Sequence, residues 1–157
     1  MTKNGRKLLV LGIGNLLMGD EGVGVQVVQR LAKEKLPEYV ELLDGGTGSF
    51  YLLEAMQEAD RILLIDAAAS EAEPGSIQLL SPKYSKDYPR TLTAHDIGLK
   101  DLLDSFYLMG TPADVRLIAI TIDPNQTIGM DLSPVIAKAA ERALELAMDE
   151  IRAFQPQ

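Results

Sequence analysis

The sequence lacks cysteine altogether and contains a single histidine. Without cysteine the chain has no disulfides, thiolate nucleophile, iron–sulfur cluster or cysteine-based zinc site. One histidine is too few for the H-E-x-x-H zinc peptidase motif, which needs two. Basic residues are also few, 15 against 23 acidic, and the formal net charge of −8 disfavours nucleic acid as a partner. No G-x-S-x-G motif of a serine hydrolase is present.

Long hydrophobic runs are missing too. No segment approaches the roughly 18 consecutive apolar residues that a membrane span needs. Basic residues precede an apolar run at the N-terminus, as in a signal peptide, but residues 8–13 are too short a run and no A-x-A cleavage site follows. We therefore expect a cytoplasmic location. The 157 residues, 46% of them apolar, predict one domain spanning residues 1–157.

Apolar runs separated by helical patterns are the main feature of the chain. Near-continuous Leu, Ile and Val runs are typical of parallel strands covered on both faces. A more alternating run, bounded by prolines, is typical of an edge strand. The succession of strands and helical patterns along the chain predicts an α/β fold with a doubly wound, mostly parallel sheet of about five strands. The predicted strands are Lys7–Gly12, Tyr39–Leu43, Arg61–Ile65, Val115–Ile122 and, at the edge, Ser76–Leu80.

Four stripes of apolar residues at helical spacing lie between or after these strands. The last is the clearest, because Ser133 stands at the N-cap position and Pro134 at the first helical position. The other three stripes are Val23, Val27, Val28 and Leu31; Leu52, Leu53 and Met56; and Leu99, Leu102, Leu103 and Phe106.

The segment GNLLMGDEG, residues 14–22, follows the first strand and has the glycine spacing of a phosphate-binding P-loop. A P-loop continues with Lys and Ser or Thr, whereas this chain continues with Asp20 and Glu21. The dinucleotide fingerprint G-x-G-x-x-G also fails, because Leu17 stands where glycine is needed. A nucleotide-binding enzyme is therefore not expected.

Carboxylates follow several of the predicted strands. Asp44, Asp66 and Asp123 stand at or directly after strand ends, and Glu21 follows the first strand by a few residues. Carboxyl ends of parallel strands meet at one edge of the sheet, where clustered carboxylates repel one another unless a cation binds. His95 precedes the third stripe, in the predicted first turn of a helix, which favours the neutral imidazole that binds metals.

Each of these residues also fits a purely structural role. Asp20 and Glu21 can cap the first helix and complement its dipole, which is the interpretation we favour for Asp20. Asp44 and the glycines after it fit a tight strand–helix connection, and Asp123 before a proline fits a turn. Spacing alone leaves these alternatives open.

The order of motifs along nearly the whole chain resembles that of the hydrogenase maturation endopeptidases. The matching segments are VLGIGNLLMGDEGVG, YVELLDGGTGSFYLLEAM, RILLIDA, EPGSIQLL, TAHDIGL and the Ser-Pro start of the final helix. Members of this family remove the C-terminal extension from the large-subunit precursor of nickel–iron hydrogenases. The resemblance implies their fold, a twisted mixed sheet between two helical layers.

The resemblance also implies a site. It assigns Glu21, Asp66 and His95 as the catalytic and metal-binding residues, and it implies that they bind nickel already inserted in the precursor. Zinc or cadmium is expected to substitute for nickel in the isolated protein, because such donors discriminate weakly between these ions. We predict that Asp44, Gly45, Gly46 and Thr47 bind the substrate chain, and that the glycines of residues 14–22 let a peptide approach. A non-cleaving module or chaperone for the nickel-loaded precursor stays open as an alternative.

Overall fold

The computed structural model describes residues 6–44, 49–82, 104–110 and 114–154. Five strands and three helices follow one another along these ranges, with a 3-10 turn at Gly19–Gly22 and a further helical segment at residues 104–108. None of the helices in these ranges is long and apolar enough to cross a membrane. The strands are Leu8–Gly12 (β1), Val40–Asp44 (β2), Arg61–Ala68 (β3), Ile77–Leu80 (β4) and Asp114–Thr121 (β5); the helices are Val23–Leu31 (α1), Ser49–Glu58 (α2) and Pro134–Ala153 (α3).

The five strands form one mixed sheet in the order β2-β1-β3-β5-β4. β1, β2, β3 and β5 are parallel, and β4 pairs antiparallel with β5 at the edge. The predicted α/β class, the mostly parallel sheet and the edge position of the strand after Pro74-Gly75 are thereby confirmed. The connection from β1 leads to β2 on one side, whereas β3 lies on the other side of β1. The chain therefore changes direction between β1 and β3.

Two apolar cores cover the two faces of the sheet, which gives the three layers that the resemblance implied. Alternate residues of β3 divide between them: Leu63 and Ile65 face α1 and α3, whereas Ile62 and Leu64 face α2 and the helical segment containing Phe106. This double coverage explains why the strands read as continuous apolar runs rather than as alternating patterns.

The final helix begins as predicted, with Ser133 at the N-cap and Pro134 at the first helical position. Its buried side includes four alanines, whose small side chains permit close packing beside α1. The third predicted stripe is only partly covered by the described residues. Phe106 is fully buried, whereas Leu99, Leu102 and Leu103 lie outside the described ranges.

An ion-pair network closes the sheet at the amino ends of β3 and β5. Arg116 donates to Glu150 at 2.8 Å and lies 3.4 Å from Asp114, which also accepts from Arg61 at 3.1 Å. The hydrogen bond to Glu150 is the main cause that raises the pKa of Arg116 above its usual value, and burial partly opposes it. Nearby, the buried ring of Phe154 packs against Tyr39. These contacts stabilise the edge of the sheet opposite to the carboxyl ends of the parallel strands.

Candidate functional site

The carboxyl ends of β1 and β3 form the edge at which a ligand site is expected. In open α/β sheets, ligands bind outside the carboxyl ends of strands where the strand order changes direction. Here that point lies between β1 and β3, whose last paired residues are Gly12 and Ile65. The loop after β1 carries Glu21, and β3 continues directly into Asp66. We call this position the switch corner.

Asp66 is fully buried at the switch corner, with 0% of its surface exposed. The sequence predicted that this strand ends at Ile65, which is three residues too early. β3 stays paired with β5 through Ala68, which lies opposite Thr121. Strand peptide groups point alternately to the two neighbouring strands, and Ile65 directs its carbonyl to Ile13 at 2.9 Å. Ala67 therefore directs its N–H toward the side where β1 has already ended. The Oδ1 atom of Asp66 accepts that N–H at 2.8 Å.

Glu21 lies in the 3-10 turn that leads from β1 into α1, and it is half-buried. The turn lies against β3. Three residues after Glu21, the backbone of Gly24 approaches the carbonyl of Ile65, the residue before Asp66, so closely that any side chain at Gly24 would overlap it. The structure thus brings the turn that contains Glu21 and the part of β3 that contains Asp66 to one corner. His95, the third predicted ligand, lies outside the described residues.

Glycines at the end of β1 and in the loop after it let the backbone of this region pack closely against itself. A Cβ on Gly14, whose φ is +146°, would overlap the carbonyl oxygen of Glu21. A Cβ on Gly12 would lie 2.5 Å from the carbonyl oxygen of Gly24. The packing of the protein's own backbone therefore requires glycine at both positions, and the expectation that the glycines of residues 14–22 let a peptide approach stays a prediction.

Asp20 does not cap the first helix, contrary to the interpretation favoured from the sequence. The N-cap of α1 is Gly22 and has no side-chain capping bond. Asp20 is instead buried, with 5% exposure, and accepts hydrogen bonds at 2.8 Å from both the N–H and the hydroxyl of Ser133. Its own N–H donates to the Oε1 atom of Gln126 at 2.9 Å. Asp20 therefore connects the loop after β1 to the start of α3.

Sequence reasoning missed this connection almost entirely. Ser133 was identified as an N-cap, but its hydroxyl donates to Asp20 instead of capping its own helix. Gln126 gave no signal in the sequence. The Asp123 turn is confirmed, since its Oδ1 atom accepts the N–H of Asn125 at 2.9 Å.

Asp44 lies at the carboxyl end of β2 and is exposed. It aligns with Gly12 of β1, so that one whole strand separates it from β3, a distance of about 10 Å at the usual strand spacing. By alternation with Leu42 it belongs to the α1 face of the sheet, whereas Asp66 belongs to the α2 face. The structure therefore does not bring Asp44 together with Asp66. Gly45, Gly46 and Thr47 lie outside the described residues.

The donor types predicted for the switch corner fit a metal ion with open coordination positions. Two carboxylates and one imidazole are suitable ligands for zinc or nickel and leave room for a water or a substrate group. Among residues 6–44, 49–82, 104–110 and 114–154 there is no group of three or more His, Cys, Asp and Glu residues that could hold a metal ion. A three-residue site at this corner therefore depends on a donor from elsewhere in the chain, the position that His95 is predicted to fill.

Comparison with known proteins identifies the family. The model of the hydrogenase maturation protease family matches residues 25–150. The chain is 32% identical to the hydrogenase 2 maturation protease of Escherichia coli (strain K12), over 93% of this chain and 91% of that protein. It is 35% identical to the hydrogenase expression/formation protein HupD of Rhodobacter capsulatus, over 94% of this chain and 72% of that protein.

Solved structures agree with the sequence relatives. The hydrogenase maturating endopeptidase HybD from E. coli superposes with a TM-score of 0.84 at 31% identity, covering 96% of this chain and 95% of that one. The [NiFe] hydrogenase maturation protease HybD from Thermococcus kodakarensis superposes with a TM-score of 0.73 at 27% identity, covering 92% and 99%. The chain therefore belongs to the hydrogenase maturation protease family.

Proposed function

We propose that this chain is an endopeptidase that removes the C-terminal extension of a nickel–iron hydrogenase large-subunit precursor after nickel insertion. In this proposal Glu21, Asp66 and His95 bind the nickel carried by the precursor, and the nickel serves as the recognition motif. Family membership supports the class of reaction. The observation that carries the choice of site is the fully buried carboxylate of Asp66 at the switch corner, beside the turn that contains Glu21.

The carboxylate of Asp66 is held in place inside the protein, where it is fully buried. Charged groups are seldom fully buried unless they are paired, hydrogen-bonded or bound to a metal. The Ala67 N–H stabilises one oxygen and restricts the orientation of the side chain. A carboxylate fixed in this way is a better metal ligand than a mobile one, because little conformational entropy is lost when the ion binds.

The residues of the chain supply binding and placement in this proposal. Glu21 and Asp66 provide negative charge for the precursor's metal, and a neutral His95 provides one nitrogen donor. A bound metal ion of this kind polarises a carbonyl group or activates a water molecule. Docking the metal at the switch corner would hold the neighbouring scissile peptide bond next to that chemistry. Zinc or cadmium would occupy the same donors in the isolated protein.

Asp44 and residues 45–47 keep the role of substrate contacts in this proposal, but at a distance from the metal. Asp44 lies one strand away from β3 on the far side of β1 and is exposed. It would therefore contact a part of the precursor chain that runs past β1 and β2, rather than the residues at the cleaved bond.

The test is a mass measurement on nickel-loaded precursor after incubation with the purified protein. We expect wild-type protein to shorten the precursor by one discrete C-terminal fragment. Asp66→Asn keeps the size of the side chain and removes its charge, so it should slow cleavage about 100-fold, the upper end of the loss seen when metal sites lose a supporting group. Asp123→Asn, an exposed turn residue with one N–H acceptor bond, is the matched control and should cleave like wild type.

The same measurement distinguishes the two classes of function. A precursor of unchanged mass in a stable complex with the protein would contradict the endopeptidase proposal and favour the non-cleaving chaperone. Cleavage at the wild-type rate by Asp66→Asn would leave the endopeptidase activity standing but remove Asp66 from the site.

A further inference from the structure

Two loops pair beside the switch corner and form a short ribbon. Met18 and Gly129 form a parallel β-bridge, with the N–H of Gly129 donating to Leu17 at 2.8 Å and the N–H of Gly19 donating to Gly129 at 2.7 Å. Gln26 of α1 also donates from its side chain to the carbonyl of Met130 at 2.9 Å. We refer to residues 17–19 and 128–130 as the corner ribbon.

The corner ribbon carries exposed apolar side chains. Because Met18 pairs with Gly129 in parallel, Leu17 and Ile128 come next to each other, and Met130 directly follows the bridged Gly129. Their exposure agrees with this geometry, at 60% for Leu17, 86% for Ile128 and 60% for Met130. Three large apolar side chains are thus exposed around a single bridge.

Charge is absent from the corner ribbon, although the chain carries a formal net charge of −8. Neither residues 15–19 nor residues 124–130 contain a charged side chain. Depletion of charge with large apolar side chains, methionine included, is typical of the buried centre of a protein–protein interface. A nucleic acid or an anionic membrane would instead require basic residues.

The corner ribbon is also rigidly attached to the site. Asp20 follows the ribbon directly, precedes Glu21, and holds the second loop through its bonds with Ser133 and Gln126. An interface formed on the ribbon would therefore fix its partner relative to Glu21 without ordering a loose loop, which lowers the entropic cost of binding.

We infer that the corner ribbon is a docking surface for the folded body of the precursor, with Leu17, Ile128 and Met130 inserting against an uncharged apolar surface of that protein. The inference rests on the proposed function, because a partner bound at the ribbon lies beside the corner at which the precursor would be cut. The ribbon is two residues from Glu21 along the chain, so the docking surface and the proposed site are continuous. The ribbon would contribute affinity and leave the chemical step unchanged.

The experiment separates binding from chemistry in the cleavage of nickel-loaded precursor. Ile128→Ser is compared with Leu108→Ser, which removes an equally exposed side chain, 87% against 86%, from the end of the helical segment at residues 104–108. We expect Ile128→Ser to raise KM about fivefold and Leu17→Ser/Ile128→Ser at least about 20-fold, both with kcat within about twofold of wild type. Leu108→Ser should change neither quantity by more than twofold.

Several results would overturn the inference. Equal KM values for Ile128→Ser and Leu108→Ser, with wild type cutting normally, would remove the ribbon from substrate docking while leaving the proposed function intact. A fall in kcat at unchanged KM would assign the ribbon to the chemical step instead. Light scattering that shows wild-type dimers and monomers of the double variant would identify the ribbon as a self-association surface. Binding of wild type, but not of the double variant, to phosphatidylcholine vesicles would identify a lipid contact. Failure of the wild-type protein to shorten the precursor at all would refute the proposed function, and with it the inference that rests on that function.

Discussion

Replacing Asp20 tests whether the bond between the loop after β1 and the start of α3 stabilises the fold. Asp20→Ala removes the acceptor of two hydrogen bonds of 2.8 Å, from the N–H and the hydroxyl of Ser133. It also removes a longer contact of 3.4 Å from the amide of Gln126. Asp20 is only 5% exposed, so water replaces these partners poorly.

The expected cost follows from the bonds that are lost. A hydrogen bond to a charged group contributes about 1.5–3 kcal/mol net, and leaving a partly buried donor unpaired adds to the loss. Two such bonds predict that Asp20→Ala lowers the free energy of unfolding by about 3–6 kcal/mol. Asp20→Asn keeps an acceptor for the Ser133 N–H and can pair its amide with the hydroxyl, so it should cost about 1–2 kcal/mol.

Urea unfolding of a double-mutant cycle measures this contribution. Ser133→Ala removes the hydroxyl bond but keeps the backbone donor, so the coupling between Asp20→Ala and Ser133→Ala should be about 1–2 kcal/mol. Asp123→Asn, an exposed carboxylate in the neighbouring turn, should change stability by less than about 1 kcal/mol. A loss below about 1 kcal/mol for Asp20→Ala, or no coupling with Ser133, would refute the reasoning.

Three further predictions concern packing and the metal ligands. In urea unfolding, Gly24→Ala should lower the free energy of unfolding by about 2–3 kcal/mol or more, because its Cβ would overlap the Ile65 carbonyl. Gly129→Ala, with open space around it, should change this free energy by less than about 0.5 kcal/mol. Equal effects of the two substitutions would contradict this packing. Phe154→Ala should cost about 3–5 kcal/mol in the same assay, since the ring is buried against Tyr39; a loss below about 1 kcal/mol would show that this end of the sheet does not depend on the ring. His95→Ala should abolish metal binding in equilibrium dialysis while the melting temperature stays nearly unchanged, because its position at a predicted helix start is expected to face solvent; retained affinity would refute its role as a ligand.

Much of the fold was predictable because its signals are local. The continuous apolar runs identified the parallel strands, since both faces of the sheet are covered. Prolines and a glycine around residues 74–82 identified β4 as an edge strand. Ser133 and Pro134 identified the start of α3 from position alone.

What the sequence did not reveal depends on distant partners. β3 continues past Asp66 because β5 pairs with it through Thr121, and Ala67 and Ala68 carry no strong strand signal of their own. Asp20 binds Ser133, which lies 113 residues away, whereas helix-capping rules consider only neighbours. Glycine spacing likewise cannot distinguish a loop that packs on its own backbone from one that receives a ligand.

Part of the candidate site was likewise predictable from the sequence, and part of it was not. Strand ends placed Glu21 and Asp66 at one corner of the sheet, because parallel strands end together. The same rule suggested Asp44 as a neighbour, but strand order puts β1 between β2 and β3, and alternation puts Asp44 on the other face. Sequence order does not contain strand order, so this separation needed the structure.

Comparing nickel-loaded with nickel-free precursor tests the central claim most directly. The two substrates have the same amino-acid sequence and differ in the metal, so a difference in cleavage tests the role of the nickel that Glu21, Asp66 and His95 are proposed to bind. We predict that wild-type protein shortens the nickel-loaded precursor and leaves the nickel-free one at its full mass. Equal shortening of both precursors would contradict the claim that bound nickel is what the site recognises.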